Sequence, residues 1–167
     1  IKESEKMCQI ALEQAPNHPT ALLNLGSAKR DLGQFEEAEN IYRLITQLKP
    51  DYAQAHYNLG ITLIDQLKFD QAIISLRYAV TFDPKGEDAL TNLALALSET
   101  NQLVEAEQIA RKALIYNPDS AEARIDLADI LFKSERLDEA MSLFEEAKEM
   151  VPDSARLHLK LSAVLEK

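Results

Sequence analysis

Asn24, Asn58 and Asn92 stand 34 residues apart, and Asp126 and Lys160 continue the same spacing. An amide carries a donor and an acceptor, so amides at a fixed interval could pair with the backbone of an extended polypeptide. That is recognition chemistry, and the candidates for catalysis fall away in turn. His18, His56 and His158 have no metal-ligand spacing and read as helix-start or packing residues. Cys8 has no histidine in its own segment to make it a nucleophile. It sits among apolar helical residues and reads as a buried thiol. As the single cysteine it forms no internal disulfide, which fits a reducing, cytoplasmic setting. The pairs Glu36–Glu37 and Glu145–Glu146 are adjacent on helices, where neighbours point in different directions and cannot share a substrate. Four glycines make no phosphate-binding loop. The expectation is a chain that is not an enzyme, with no catalytic, cofactor-binding or metal-binding residues and no cofactor.

Composition narrows the partner. The chain has 167 residues, 46% of them hydrophobic, enough for an extensive core, and a formal net charge of -10. So acidic a surface disfavours nucleic acid and anionic membranes, which need clustered cations, and suits a basic or apolar polypeptide. No apolar run reaches the roughly 18 residues of a membrane span. The chain opens on Ile1 in mid-pattern, without an initiator Met or a leader, which suggests a piece of something longer.

The elements that must position these residues are written in a second set of repeats. Pro16, Pro50, Pro84, Pro118 and Pro152 fall on the 34-residue period, as do Leu25, Leu59, Leu93, Leu127 and Leu161. A fixed period of this size marks stacked units that bury their apolar faces against neighbours. Complete units run 19–52, 53–86, 87–120 and 121–154. Residues 1–18 match the second half of an earlier unit and 155–167 the first half of a later one. In the second unit Ala55, His56, Leu59, Gly60, Thr62 and Leu63 line one side of a helix. After a polar break at Gln66–Lys68, Phe69, Ala72, Ile73, Leu76, Ala79 and Val80 line another. Each unit therefore reads as two antiparallel helices. Asn17, Asp51, Asp119 and Asp153 follow the periodic prolines and are expected to cap the next helix, with capping boxes at Asp51–Gln54 and Asp119–Glu122. Lys85 would be the poor cap. Gly26, Gly60, Ala94 and Ala128, at repeat position 8, and Ala38, Ala72, Ala106 and Ala140, at position 20, are expected to mark close helix contacts.

Leu59, Gly60, Phe69, Ala72, Ala79 and Pro84, repeated for the most part in the other units, resemble the tetratricopeptide repeat family over essentially the whole chain. The resemblance implies an all-α fold: an α-solenoid of tandem antiparallel helix pairs in a right-handed superhelix, a single array over 1–167, with the first helix of each unit lining a concave groove. Departures are local. Position 4, usually aromatic, carries Leu22, His56, Leu90, Arg124 and His158. The inter-helix glycine survives only as Gly33. Asn101 tolerates left-handed backbone, whereas Leu67 and Glu135 do so less well, predicting strain or an altered turn.

Positions opposite the core face form the expected peptide-binding groove. Asn24, Asn58, Asn92 and Asp126 occupy position 6; the three amides resemble the asparagine ladder in the repeat domain of the nucleocytoplasmic N-acetylglucosamine transferase, though asparagine is also an ordinary solvated residue there. Leu23, Tyr57, Ile61, Ile64, Leu95, Ile125 and Phe132 have no assigned core role, and about four of the seven are expected to be exposed. Asp31, Asp65, Asp88, Glu99, Glu122, Asp126 and Asp129 make the groove acidic against Arg30, Lys133, Arg156 and Lys160. Net charge falls from 0 in the second unit to -4 in the third and -6 in the fourth. This predicts a ligand with Lys or Arg near the third and fourth units, bound more weakly in salt. Chaperone-binding members of the family hold a terminal carboxylate with a lysine, two asparagines, a lysine and an arginine at positions where this chain has Leu23, Ser27, Asn58, Asp88 and Asn92, so the cations are absent and that mode is not expected.

Three functional readings follow: a protein-interaction scaffold that binds an extended peptide or partner protein, the substrate-recognition arm of a larger enzyme such as a glycosyltransferase, and an array that self-associates end to end through its half units.

Overall fold

A computed structural model describes residues 13, 15 and 17–165. The segment 1–12, including Cys8, and Pro16 lie outside the described residues. Among the described residues the chain is all-α, with nine helices: α1 (Pro19–Asp31), α2 (Phe35–Leu48), α3 (Ala53–Asp65), α4 (Phe69–Phe82), α5 (Glu87–Glu99), α6 (Leu103–Tyr116), α7 (Ala121–Lys133), α8 (Leu137–Met150) and α9 (Ala155–Leu165). They form two compact units, Ile1–Ala89 and Leu90–Lys167.

In the first unit α1 packs on α2, α2 on α3 and α3 on α4. Ala55, His56, Leu59, Gly60, Thr62 and Leu63 of α3 are all buried, as their spacing predicts, as are Ala72, Ile73, Leu76 and Ala79 of α4. A side chain cannot be added at the position-8 glycines: a Cβ on Gly60 would stand 2.5 Å from Leu76 Cγ, and one on Gly26 2.7 Å from Tyr42 Cε1. Their space is filled from the facing helix at position 24, while the position-20 alanines Ala38 and Ala72 are wholly buried. His56 is a packing residue; its Nε2 lies 2.8 Å from the Pro50 carbonyl and its ring stacks on Tyr78 at 5.1 Å.

In the second unit α7 packs on α6 and α8, and α9 on α7 and α8. Leu127, Ala128, Leu131, Phe144 and Ala147 form its core.

Helix starts correct the sequence reading by one residue. The N-caps are His18, Tyr52 and Ser120, not the preceding Asn17, Asp51 and Asp119. His18 Nδ1 accepts from Ala21 N at 3.4 Å and Ser120 Oγ from Ala123 N at 3.1 Å, and Ser154 Oγ in the same way accepts from Leu157 N at 3.3 Å. The residue after the periodic proline therefore sits in the turn, and His18, Ser120 and Ser154, one residue further on, reach the orphan N–H groups, whereas Tyr52 makes no side-chain cap bond. No capping box forms at Asp51; Gln54 donates to Asn58 instead.

The ends of the first helices of the pairs are uniform. Gly33, Leu67, Asn101 and Glu135 are all left-handed, with φ of 74°, 59°, 59° and 61°. The following N–H reaches back five residues in each case, as from Lys68 to the Leu63 carbonyl at 2.8 Å. This is the Schellman geometry that favours glycine. The turn is thus retained at Leu67 and Glu135 at the cost of local strain.

Candidate functional site

The candidate residues lie on the first helices of the pairs. In the first unit, α1 carries Leu23, half-buried, and Asn24, exposed. On α3, Tyr57, Ile61 and Ile64 are half-buried and Asp65 is exposed but paired, its carboxylate accepting from Arg30 Nε at 2.6 Å. Asn58 does not match Asn24. It is buried, its Oδ1 accepts from Gln54 at 3.1 Å, and its amide supports the Tyr42 phenol, which also meets Ser27 Oγ at 3.1 Å. Burial pushes that phenol up, against the hydrogen bonds of Ser27 and Asn58. The Asn58 amide therefore already serves the interface between helices.

Beside Tyr57 lies a cleft of about 210 Å³ lined by Gln54, Tyr57, Asp83, Glu87 and Asp88, with alanines and Gly86 as its floor. Burial, and then the charge of Asp88, raise the Tyr57 phenol. A Cβ on Gly86 would come within 3.0 Å of Asp83 Oδ2, so the glycine leaves that carboxylate its place.

In the second unit Asn92, Leu95 and Phe132 are half-buried, and Ile125 is fully buried at 1% exposure. Ile125 is therefore a packing residue and leaves the candidate groove set. Of the seven apolar residues assigned to the groove none is fully exposed, because each leans on its neighbours. The acids of this unit are already partnered. Glu99 accepts from Lys133 at 2.8 Å, Arg156 bridges Glu122 and Asp126, and Lys160 reaches Asp129 at 2.6 Å. Each cation comes from the next first helix along, about one repeat away.

Two features have no counterpart in the sequence reading. Glu39 is 7% exposed at its side chain and is clamped by Arg43 at 2.7 Å, Lys68 at 3.0 Å and Gln66 at 2.7 Å. Burial works to raise its carboxyl, but the Lys68 and Gln66 hydrogen bonds and the two cations outweigh it and hold the group below the usual range. Glu107 repeats the arrangement with Arg111 at 2.8 Å and Arg136 at 2.7 Å, and is held low in the same way. The second feature is a stripe of exposed Ile74, Tyr78 and Phe82 along α4.

Among the described residues no group of three or more His, Cys, Asp or Glu could hold a metal ion, and no helix is long and apolar enough to cross a membrane.

Antiparallel helix pairs with left-handed Schellman turns, repeated in register, define a helical-repeat protein. Tetratricopeptide-repeat profiles match residues 2–53 and 23–87, 88–116 and 104–164. The chain belongs to the tetratricopeptide repeat family, whose members serve widely as protein-interaction modules. Curated proteins supply no significant match to the sequence. Among solved structures, MamA from Desulfovibrio magneticus RS-1 is similar over 92% of this chain and 87% of its own, with 21% identity and a TM-score of 0.84. YrrB, described as a tetratricopeptide repeat protein with an unusual peptide-binding site, matches over 90% and 77%, at 22% identity and 0.78. A tetratricopeptide repeat protein of Parabacteroides merdae ATCC 43184 matches over 96% and 64%, at 20% identity and 0.86. At these identities the likeness is one of fold.

Proposed function

We propose that this protein is a non-catalytic interaction module whose first unit binds an extended protein segment across α1 and α3, with a Lys or Arg of the segment entering the cleft beside Tyr57. The observation that carries this reading is the cleft itself: three carboxylates, Asp83, Glu87 and Asp88, and a phenol line a space of about 210 Å³, which suits one long cationic side chain. Leu23, Tyr57, Ile61 and Ile64 offer half-buried apolar surface for neighbouring side chains, and Asn24 offers its amide to the ligand backbone. Two of these carboxylates, Glu87 and Asp88, open the third repeat, so the basic residue of the ligand falls where the second and third repeats meet. Similarity to a repeat protein with a peptide-binding site supports the ligand class.

A peptide array probed with the parent and with Tyr57→Ala and Asp83→Asn tests it. Segments selected by the parent should contain Lys or Arg, and both variants should lose roughly tenfold in affinity, about 1.4 kcal/mol. Binding should also weaken as salt rises. Selection of acidic segments, or binding by both variants that equals the parent's, would refute the reading.

A further inference from the structure

The cleft beside Tyr57 differs from a plain acidic hollow in how its lining is held. Its acceptors come from three elements: Gln54 from the first turn of α3, Asp83 from the end of α4, and Glu87 and Asp88 from the first turn of α5. Gln54 is oriented, because its Nε2 donates to Asn58 Oδ1 at 3.1 Å and leaves Oε1 as the atom that accepts. Asp83 is seated as well. Its Oδ2 and Cγ would stand 3.0 and 3.3 Å from a Cβ at residue 86, so the carboxylate lies against the bare Cα of Gly86. Gly86 N closes the turn on the Asp83 carbonyl at 3.2 Å. The remaining wall is the half-buried Tyr57 ring. Burial, and then the charge of Asp88, raise its phenol, so the ring stays neutral. Arg30, the cation that acts against this rise, is itself held by Asp65 at 2.6 Å.

These parts do not suit the two biological cations equally. An ammonium is a compact and strongly hydrated charge that gains little from a flat ring. A guanidinium is planar, is more weakly hydrated, carries its N–H donors in a fixed fork and stacks on aromatic faces. Acceptors set on three elements around a ring surface match the fork, and a space of about 210 Å³ makes the cation shed part of its water on entry. We propose that the cleft selects arginine over lysine, the guanidinium lying against the Tyr57 ring with its N–H groups divided between the Asp83 carboxylate, the α5 carboxylates and the Gln54 carbonyl. Gly86 is then a positioning residue, because it keeps the Asp83 carboxylate in its seat. The inference rests on the reading of this cleft as the seat of a cationic side chain, and adds to it which cation is recognised and by what.

The tightest-binding segment of the peptide array supplies the probe. It is synthesised with arginine, lysine or citrulline at its basic position, and each form is titrated against the full chain by fluorescence anisotropy at fixed ionic strength. The arginine form should bind roughly fivefold more tightly than the lysine form, the scale of one cation–ring contact. Tyr57→Leu keeps an apolar wall and removes the ring face, and Gly86→Ala pushes the Asp83 carboxylate off its seat. Each should cut the ratio of arginine to lysine affinity by about half or more while changing the lysine form less, a selectivity change that general destabilisation would not produce. A lysine form that binds as tightly as the arginine form, or a ratio that survives in either variant, overturns the preference and leaves the cleft as a seat for any cation. Citrulline keeps the planar shape without the charge. If it binds as tightly as arginine, the cation itself is not recognised, and the reading on which the preference rests falls with it.

Discussion

The first helices of the two compact units place comparable residues on their outer faces, yet their carboxylates are in different situations. In the first unit Arg30 pairs with Asp65 between α1 and α3, and three acids line the cleft beside Tyr57. In the second unit the acids of α5 and α7 are taken up one after another by Lys133, Arg156 and Lys160. The acidic count therefore locates neither ligand nor binding strength. An internal cation neutralises a groove acid as well as a ligand's cation would, and without the entropy cost of association. In the more acidic second unit, groove-side acids are held by that unit's own cations.

Glu39 and Glu107 test the contrast most severely, because they are one device built twice. Both accept from an arginine four residues on and from a cation of the next pair, but Glu39 is 7% exposed and Glu107 20%. Removing the charge from the more shielded carboxylate leaves Lys68 and Arg43 facing a neutral group. Glu39→Gln should cost about 2 kcal/mol at neutral pH, and Glu107→Gln about half that. Because both carboxyls are held low in the folded state, their contribution is complete above the unfolded glutamate value and is lost as pH falls below about 4. Urea melts at neutral pH and at about pH 3.5 check both the order and the sign. Equal costs in the two units, or a cost that grows in acid, would break the parallel.

Next in size comes the position-8 contact. The first unit has glycine at this position and the second has Ala94 and Ala128. Gly60→Ala gains nearly 1 kcal/mol in helix propensity but drives a methyl group to 2.5 Å from Cγ of Leu76, a wholly buried side chain whose branch point cannot retreat. The clash wins, and a net loss of about 1–2 kcal/mol is expected. Ala128→Gly should cost about 1 kcal/mol through propensity. A more stable Gly60→Ala protein would show that the two units share one spacing between their helices.

How much of this could be read in advance depends on the range of the interaction. The core of α3 and α4 and the breaks between helices were legible because they depend on a helical period within one unit. The caps were misplaced by a residue, since Asp51 and Tyr52 both follow Pro50 and only backbone geometry decides which stands at the helix start. Asn58 looked like Asn24 because both occupy position 6; its burial depends on Tyr42 and Gln54, side chains that no single-helix pattern brings to it. The ion pairs were hidden for the same reason, although many of them link residues close to one period apart. The Glu39 clamp is legible once its parts are known: glutamate at position 21, arginine at 25, and lysine or arginine at position 16 of the next repeat. Glu107, Arg111 and Arg136 satisfy it; the second repeat has Ile73 at position 21 and the third Gln102 at position 16.

The smallest effect is expected at the helix ends, where the units differ in how well their residues suit one backbone conformation. Leu67 in the first unit and Asn101 in the second both have φ of 59°. A leucine pays about 1–2 kcal/mol for left-handed geometry, asparagine less, and glycine almost nothing. Leu67 is 74% exposed, so its side chain returns little burial energy. Leu67→Gly should therefore raise stability by roughly 1 kcal/mol after the entropy of the more flexible unfolded chain is deducted, and Asn101→Gly should stay within about 0.5 kcal/mol of the parent. Glu135, with φ of 61°, should behave as Leu67 does. If Leu67→Gly instead destabilises the protein, its side chain covers the Schellman turn that closes through Lys68 N to the Leu63 carbonyl. The strain at this helix end would then be offset locally, and the two units would differ in packing at the turn as well as in charge on the face.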